Sequence, residues 1–184
     1  MLKKSIFIAL SAILLILHGC SSDKSKKIKS TVPKNTYMLS SLKSKEFVVT
    51  KVKDGFVVKG EKQKIIIFDI FATWCPPCRR AATHLDALQK RYKDDVLVVG
   101  VSIEDNISDE KLLEFRKSYG ANYTLLNSPK NRFLADKIVS SLRLGNRYPI
   151  PVVVIYKDGK YITHYMGSVE EEFIESDIKR ALGK

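Results

Sequence analysis

The chain has 184 residues and a formal net charge of +12, a length that suits one compact domain with appendages. The charge is uneven, because residues 21–64 carry twelve Lys and four acidic residues, whereas residues 65–184 carry eighteen Lys or Arg and sixteen acidic residues. The body of the chain is therefore nearly neutral. The net positive charge of the whole chain gives no support to nucleic-acid binding.

The first nineteen residues are predicted to be an export signal. Lys3 and Lys4 form a basic head, and an apolar run over 6–17 follows them. An apolar run of twelve residues is too short to span a bilayer and is typical of a signal-peptide core. The run leads into Leu17-His18-Gly19-Cys20, which resembles the lipobox of bacterial lipoproteins. That resemblance implies cleavage before Cys20 and a lipid on its sulfur, so that the chain is anchored to the lipid bilayer of the bacterial cell envelope, facing the periplasm or extracytoplasmic space. The alternative is an ordinary signal peptide with an incidental cysteine.

Residues 20–40 are predicted to be a basic, flexible linker, because Lys and Ser dominate its first half. Such a segment is either a solvated tether or lies against anionic head groups, where each Lys contributes roughly 1 kcal/mol. The folded domain is predicted to cover residues 41–184.

The first predicted elements of this domain are a hairpin, a strand and a helix. A hairpin is predicted over 46–59, with Asp54-Gly55 as its two-residue turn. A continuous apolar run over 64–71 predicts a strand that is buried on both faces. The apolar spacing over 78–92 predicts an amphipathic helix.

A second series of strands and helices follows. A buried strand is predicted over 96–101, then a helix with Ser108 as its N-cap that stops at Gly120. A short strand over 123–126 precedes a helix opened by Ser128-Pro129, with Pro at its first position and with Phe133, Leu134 and Ile138 facing inward. Strands over 151–156 and 161–166, joined by Asp158-Gly159, and a helix over about 169–182 complete the chain. This order predicts an α/β fold in which helices flank both faces of a mixed central sheet.

The chemistry is predicted to reside in Trp74-Cys75-Pro76-Pro77-Cys78, at the junction of a strand and a helix. Two cysteines one helical turn apart can form a disulfide, and the amides of a helix N-terminus can stabilise a thiolate on the first. The alternatives are a permanent structural disulfide and half of a zinc site, but a two-residue loop gains little stability from a disulfide and no second cysteine pair exists to complete a zinc site. No metal and no cofactor is expected.

These residues resemble the thioredoxin superfamily. The run from Asp69 to Cys78, and Ile150-Pro151 opening a strand that ends in Lys157-Asp158-Gly159, carry the resemblance. The lipobox, the leading hairpin and the extra strand–helix unit over 123–142 resemble its membrane-anchored TlpA/ResA branch. That branch implies extracytoplasmic thiol–disulfide exchange, often on apocytochrome c, with Cys75 as the nucleophile and Cys78 as the resolving thiol.

Asp69 lies inside an apolar strand, where a charge is costly unless it is partnered or protonated. Burial would raise its pKa and suit it to act as a base near neutral pH; the alternative is an Asp at the strand edge that faces solvent. The resemblance matches Asp69 to the buried acid of thioredoxin, which exchanges a proton with the resolving cysteine. ResA-type relatives usually have an acid three positions after the second cysteine, where this chain has Ala81, so Asp69 indicates general thioredoxin chemistry.

The resemblance also implies a substrate-binding surface of Trp74, Pro76, Ile150 and Pro151. Pro151 is the candidate for a cis-proline, with Pro149 as a competing candidate. The backbone of Ile150 would then pair with an extended substrate. Trp74 is either an apolar contact surface beside the dithiol or a core residue. Ile150 before the proline resembles reductive thioredoxins more than oxidases.

The predicted function is that of an exported, lipid-anchored reductase of disulfides in periplasmic proteins, with apocytochrome c as a candidate substrate. Its predicted partners are those disulfide-bearing proteins and a membrane electron donor of the DsbD/CcdA type. Two alternatives remain: a disulfide oxidase or isomerase, and a copper-binding metallochaperone module, which the two-residue gap between the cysteines disfavours.

Overall fold

The computed structural model describes residues 34–145 and 147–184. The predicted signal peptide, Cys20 and most of the predicted linker lie outside the described residues. The strands are β1 (Thr36–Ser41), β2 (Lys45–Lys51), β3 (Phe56–Val58), β4 (Ile65–Phe71), β5 (Val96–Ser102), β6 (Thr124–Leu126), β7 (Val152–Lys157) and β8 (Lys160–Met166), and the helices are α1 (Pro76–Arg91), α2 (Asp109–Tyr119), α3 (Asn131–Ser141) and α4 (Glu171–Leu182).

The strands form one mixed sheet in the order β3-β2-β1-β6-β5-β4-β7-β8. Strands β4, β5 and β6 are parallel to one another, and β7 is antiparallel to β4. Strand β4 lies near the centre of the sheet and is buried along its whole length, which explains why its sequence is almost continuously apolar.

Two apolar cores cover the two faces of the sheet. On one face, residues of α1, α2 and α4 pack against Ile65, Ile67 and Phe71 of β4. On the other face, α3 and the strands β1–β3 pack against Ile66 and Phe68. The predicted α/β architecture, with helices on both faces of a mixed sheet, is therefore confirmed.

The N-terminal part of the domain differs from its prediction in two respects. Strand β1 begins at Thr36, inside the segment predicted to be linker, because its residues pair with β2 over their whole length and Ser41 joins β6. The predicted hairpin exists as β2 and β3, but its loop has four residues, closed by a hydrogen bond of 2.9 Å from Val52 N–H to Gly55 O.

The predicted ends of helix α2 are confirmed, whereas the predicted first residue of helix α3 was wrong. Ser108 accepts a hydrogen bond from the Lys111 amide, and Gly120 has φ of 70°, the left-handed conformation that favours glycine. Helix α3 begins at Asn131 and not at Pro129, because Asn131 is buried and its side chain donates to Leu126 O. Leu134 and Ile138 are buried as predicted, but Phe133 lies off the helix face that they share and is 69% exposed, so its predicted inward position was wrong.

Candidate active site

The dithiol lies where the C-terminal end of β4 meets the N-terminus of α1. Cys75 and Cys78 are both buried, their Cα atoms are 5.3 Å apart, and their sulfurs form a disulfide. Cys75 is the N-cap of α1, and its Sγ accepts a hydrogen bond of 3.3 Å from the Cys78 amide. Pro76 and Pro77, which lie between the two cysteines, have no N–H to donate. The amide of Cys78 is therefore the first one after Cys75 that can stabilise a thiolate on it.

The loop before β7 brings a backbone carbonyl to this sulfur. The Ile150–Pro151 peptide bond is cis, so the cis bond falls at Pro151 and not at Pro149. The carbonyl oxygen of Ile150 lies 3.6 Å from Cys75 Sγ. Two segments that are 75 positions apart in sequence thus meet at the nucleophile proposed from the sequence.

Trp74 and Pro76 are exposed beside the disulfide. Trp74 is 60% exposed, which excludes the alternative that it is a core residue. It lines a cavity of about 190 Å³ together with Arg79 and Tyr119. The guanidinium of Arg79 lies 5.2 Å from the centre of the Tyr119 ring and donates from Nε to Thr73 O. An apolar ring and a fixed cation are therefore available to a substrate next to Cys75.

Asp69 is fully buried, so the alternative of a solvent-facing carboxylate is wrong. Alternation along β4 places its side chain on the same face as Ile67 and Phe71, in whose core both cysteines also pack. Tyr123 donates a hydrogen bond of 2.8 Å to Oδ2, while the buried Oδ1 has no partner within the described residues. Burial raises the pKa of Asp69 to about 7, although the Tyr123 hydrogen bond lowers it. Asp69 can therefore gain and lose a proton near neutral pH.

Glu104 is a second acid close to the dithiol, and it is held very differently. Its carboxylate accepts hydrogen bonds from the Thr73 amide (2.6 Å) and the Thr73 hydroxyl (3.1 Å), and it forms an ion pair with Lys111. Burial raises the pKa of Glu104, but the hydrogen bonds from Lys111 and Thr73 outweigh burial and hold it below its usual value. Glu104 is thus an ionised side chain that holds Thr73, and with it the segment that leads into Cys75, in place.

Sequence reasoning missed the roles of Tyr123 and Glu104. Tyr123 is 54 positions from Asp69, and no local pattern predicts that its hydroxyl reaches the carboxylate. Glu104 offered a signal, because it lies two positions after the C-terminal end of β5. In sheets with parallel strands, the residues beyond those ends surround the binding site.

Within residues 34–145 and 147–184, no three His, Cys, Asp or Glu side chains lie close enough together to hold a metal ion. In the same part of the chain, no helix combines the length and apolar character needed to cross a bilayer.

Comparisons with known proteins agree with this geometry. The Redoxin family model matches residues 22–182. Thiol-disulfide oxidoreductase ResA of Bacillus thuringiensis subsp. konkukian is 24% identical over 181 residues, covering 97% of this chain and 98% of that protein. The thioredoxin-like protein YneN of Bacillus subtilis is 27% identical over 103 residues, covering 48% of this chain and 61% of that protein.

Solved structures show the same fold. A thioredoxin-family thiol:disulfide interchange protein from Chlorobium tepidum superposes with a TM-score of 0.59 at 19% identity, covering 81% of this chain and 94% of that one. A secreted Mycobacterium tuberculosis disulfide oxidoreductase, homologous to DsbE of E. coli, superposes with a TM-score of 0.54 at 17% identity, covering 78% of this chain and 95% of that one.

The chain belongs to the Redoxin family, and within the thioredoxin superfamily it is TlpA/ResA-like. It is a thiol–disulfide oxidoreductase whose redox pair is Cys75 and Cys78.

Proposed function

We propose that the protein is an exported, lipid-anchored reductase of disulfides in other extracytoplasmic proteins. The observation that most strongly supports exchange chemistry at this dithiol is a carboxyl group, that of Asp69, on the face of β4 whose core also holds both cysteines, and with a pKa of about 7. A permanent structural disulfide has no use for a proton acceptor at that place. A dithiol that opens and closes must move a proton at each turnover.

The first step is an attack by the Cys75 thiolate on one sulfur of a substrate disulfide. A mixed disulfide forms between Cys75 and the substrate, the substrate S–S bond breaks, and the second substrate sulfur leaves as a thiolate that takes a proton from water. The amide of Cys78, which contacts Cys75 Sγ in the disulfide form, stabilises the attacking thiolate.

The second step releases the substrate. Cys78 gives its proton to the Asp69 carboxylate, and its thiolate attacks Cys75 Sγ. The Cys75–Cys78 disulfide forms, the mixed disulfide breaks, and the first substrate sulfur leaves as a thiolate and is protonated. Two electrons pass to the substrate, and a membrane donor of the DsbD/CcdA type must return two electrons to the disulfide. Asp69 then returns its proton to Cys78, which restores the Cys75 thiolate and the Cys78 thiol.

Substrate recognition is proposed to use the backbone beside the disulfide together with exposed apolar surface. The carbonyl of Ile150 is next to Cys75, where an extended substrate could pair with it as an added strand. Trp74 and Pro76 are exposed at the same place. Recognition through backbone groups suits a broad set of unfolded or misoxidised proteins, among which an apocytochrome c disulfide is one candidate.

Export and anchoring are supported by the apolar run over 6–17 and by Cys20 in its lipobox-like context. The secreted disulfide oxidoreductase from Mycobacterium tuberculosis, which shares the fold, is consistent with an extracytoplasmic location. Mass spectrometry of the N-terminal peptide, extracted from membranes, tests the anchor: diacylglycerol on Cys20 supports it, and an unmodified cysteine contradicts it.

Trapping tests the exchange reaction. A Cys78→Ala variant cannot complete the second step, so it should accumulate mixed disulfides through Cys75 in cells, and mass spectrometry of the adducts identifies the substrates. The matched control is Cys75→Ala. If adducts accumulate on Cys75→Ala and not on Cys78→Ala, the two thiols have the opposite roles.

The reduction potential tests the direction of electron flow. We expect a value near roughly −270 mV, the range of reducing thioredoxins, in equilibrium with glutathione or dithiothreitol buffers. A value near roughly −120 mV, the range of strong oxidants, would instead make the protein a disulfide oxidase.

A further inference from the structure

A second cleft lies away from the dithiol and is lined by basic side chains. Its volume is about 410 Å³, and its lining includes Lys51, Lys53 and Arg143, with Asp54, Tyr161 and His164. Within the described residues, none of the three basic side chains forms an ion pair with an acid. With three basic side chains and one acidic side chain, Asp54, in its lining, the cleft has an excess of positive charge.

Backbone hydrogen bonds fix the walls of this cleft. The loop between β2 and β3 is closed by a bond from Val52 N–H to Gly55 O, and the start of β8 is tied to it by a bond of 3.0 Å from Tyr161 N–H to Asp54 O. The Tyr161 hydroxyl is in turn hydrogen-bonded to His164 Nδ1 at 2.7 Å. The cleft is therefore formed in the protein without a ligand.

The cleft and the dithiol lie at opposite ends of the central strands. Tyr156 lines the cleft and pairs with Ile66, near the start of β4, whereas Cys75 follows the other end of β4. Seven strand residues at about 3.3 Å each separate the two sites by roughly 20 Å. We call the two ends of the sheet the basic end and the dithiol end.

The chain segment that leads from Cys20 reaches the domain at the basic end. The Lys51 amide donates a hydrogen bond of 2.8 Å to Asn35 O, and Thr36 pairs with Thr50. The first described residues are thus adjacent to one wall of the cleft. Fourteen residues, 21–34, separate Cys20 from Asn35, so even a fully extended chain cannot place them more than roughly 50 Å apart.

The charges of the connecting segments differ between the two ends. At the basic end, the segments 34–35, 52–55, 59–64, 92–95, 142–145, 158–159 and 183–184 carry eight Lys or Arg and five acidic residues. At the dithiol end, the segments 42–44, 72–75, 103–108, 127–130, 147–151 and 167–170 carry three basic and three acidic residues. Among the connecting segments, the excess positive charge therefore lies where the segment from Cys20 arrives.

We infer that the basic cleft binds the phosphate of an anionic phospholipid headgroup, so that the basic end lies on the bilayer and the dithiol faces away from it. Lys supplies a compact positive charge and Arg a fork of N–H donors, and both are common phosphate ligands. This inference rests on the proposed lipid anchor, which would hold the cleft close to the membrane surface.

Binding to vesicles tests the cleft without any contribution from a lipid attached to Cys20. The protein is the mature chain from residue 20 carrying Cys20→Ser; both apolar cores lie within residues 39–178, so this chain retains the whole folded domain. We expect binding to vesicles of equimolar phosphatidylglycerol and phosphatidylcholine, and much weaker binding to phosphatidylcholine alone. The triple variant Lys51→Gln/Lys53→Gln/Arg143→Gln should bind the anionic vesicles about 100-fold more weakly, at about fivefold per residue.

A second triple variant controls for net charge. Lys117, Lys130 and Lys137 are exposed on or beside α2 and α3, outside the cleft, and Lys117→Gln/Lys130→Gln/Lys137→Gln removes the same charge. An equal loss of binding in both triple variants would overturn the inference, since it would show attraction without a site. Equal binding of the unsubstituted chain to both kinds of vesicle would also overturn it. Unchanged disulfide reduction in solution shows that the cleft variant is folded.

Trp74 reports the orientation, because it is the only tryptophan in the chain and lies at the dithiol end. Vesicles with brominated acyl chains quench a tryptophan only when it reaches the membrane. We expect no quenching of Trp74 when the protein is bound to anionic vesicles. Strong quenching would mean that the dithiol end contacts the bilayer and would overturn the proposed orientation. Since this chain carries no lipid, neither measurement depends on whether Cys20 is acylated in cells.

Discussion

Asp69 and Glu104 belong to two neighbouring regions of the active site, and the same functional group behaves in opposite ways in them. Asp69 is fully buried and has one donor, the Tyr123 hydroxyl, so desolvation dominates and its pKa rises to about 7. Glu104 is also largely shielded, at 11% exposure of its side chain, but Thr73 and Lys111 both donate to it and its pKa falls. The number and charge of the donors, and not burial alone, decide which carboxyl group is ionised.

The difference separates two tasks. A carboxyl group that titrates near neutral pH can exchange protons with a thiol, whereas one that stays ionised can only hold its donors in place. The region of Asp69 is therefore suited to the reaction, and the region of Glu104 to fixing the segment that carries Cys75.

The largest expected effect comes from Asp69→Asn, which keeps the size of the side chain and removes its titration. We expect the rate of disulfide reduction near pH 8 to fall by about 100-fold, the lower part of the range for a lost general base. The rate of the unsubstituted enzyme should rise with pH through about 7, where Asp69 loses its proton, and the variant should lack this rise. Asp105→Asn, at a side chain that is 78% exposed, is the control and should leave the profile unchanged. A variant that keeps the rise would show that another group titrates there.

The same substitution should have the opposite effect on stability. The pKa of Asp69 is raised above its ordinary value of 3.8, so the folded state holds this proton more tightly than the unfolded state. The resulting stabilisation is complete below about pH 4 and is lost as the pH rises through about 7. In urea unfolding, the free energy of unfolding of Asp69→Asn relative to that of the unsubstituted protein should therefore increase between these pH values. We expect the increase to be on the order of a few kcal/mol. A constant difference across that range would mean that Asp69 is not protonated in the fold.

Tyr123→Phe should shift the titration without abolishing it. The hydroxyl of Tyr123 donates to Asp69 Oδ2 and lowers its pKa, so removing it should move the midpoint of the pH–rate profile upward by roughly one unit, the value of a charged hydrogen bond of about 1.5 kcal/mol. At pH 7 the rate would then be about fivefold lower, and at high pH it would recover, which a purely structural defect would not do. Tyr156→Phe removes another buried hydroxyl, far from the dithiol, and should leave the midpoint in place.

The elements that were predictable from the sequence are those with a local cause. The continuous apolar run of β4, the Ser108 cap and the Gly120 stop each depend on residues a few positions apart, and the structure has all three. Strand β1 was missed because its stability comes from pairing with β2 and β6, while its flanking lysines resemble linker. For the pair of Asp69 and Tyr123, the sequence predicts only the first member, because an acid inside an apolar strand is recognisable as buried. Only the fold shows that the Tyr123 hydroxyl donates a hydrogen bond to it.

Glu104→Gln gives the smallest expected effect and tests the other half of the contrast. Gln keeps an oxygen that can accept from Thr73 but loses the ion pair with Lys111, so at pH 7 the variant should be less stable by about 1 kcal/mol. Because the pKa of Glu104 is lowered from 4.5, its contribution is present above that value and is lost as the pH falls below it. The stability difference should therefore vanish in acid, the reverse of the trend for Asp69→Asn. The pH–rate profile should keep its midpoint near 7, since Glu104 stays ionised throughout that range; a displaced midpoint would show that Glu104 shares the proton with Asp69 and that the two regions act as one.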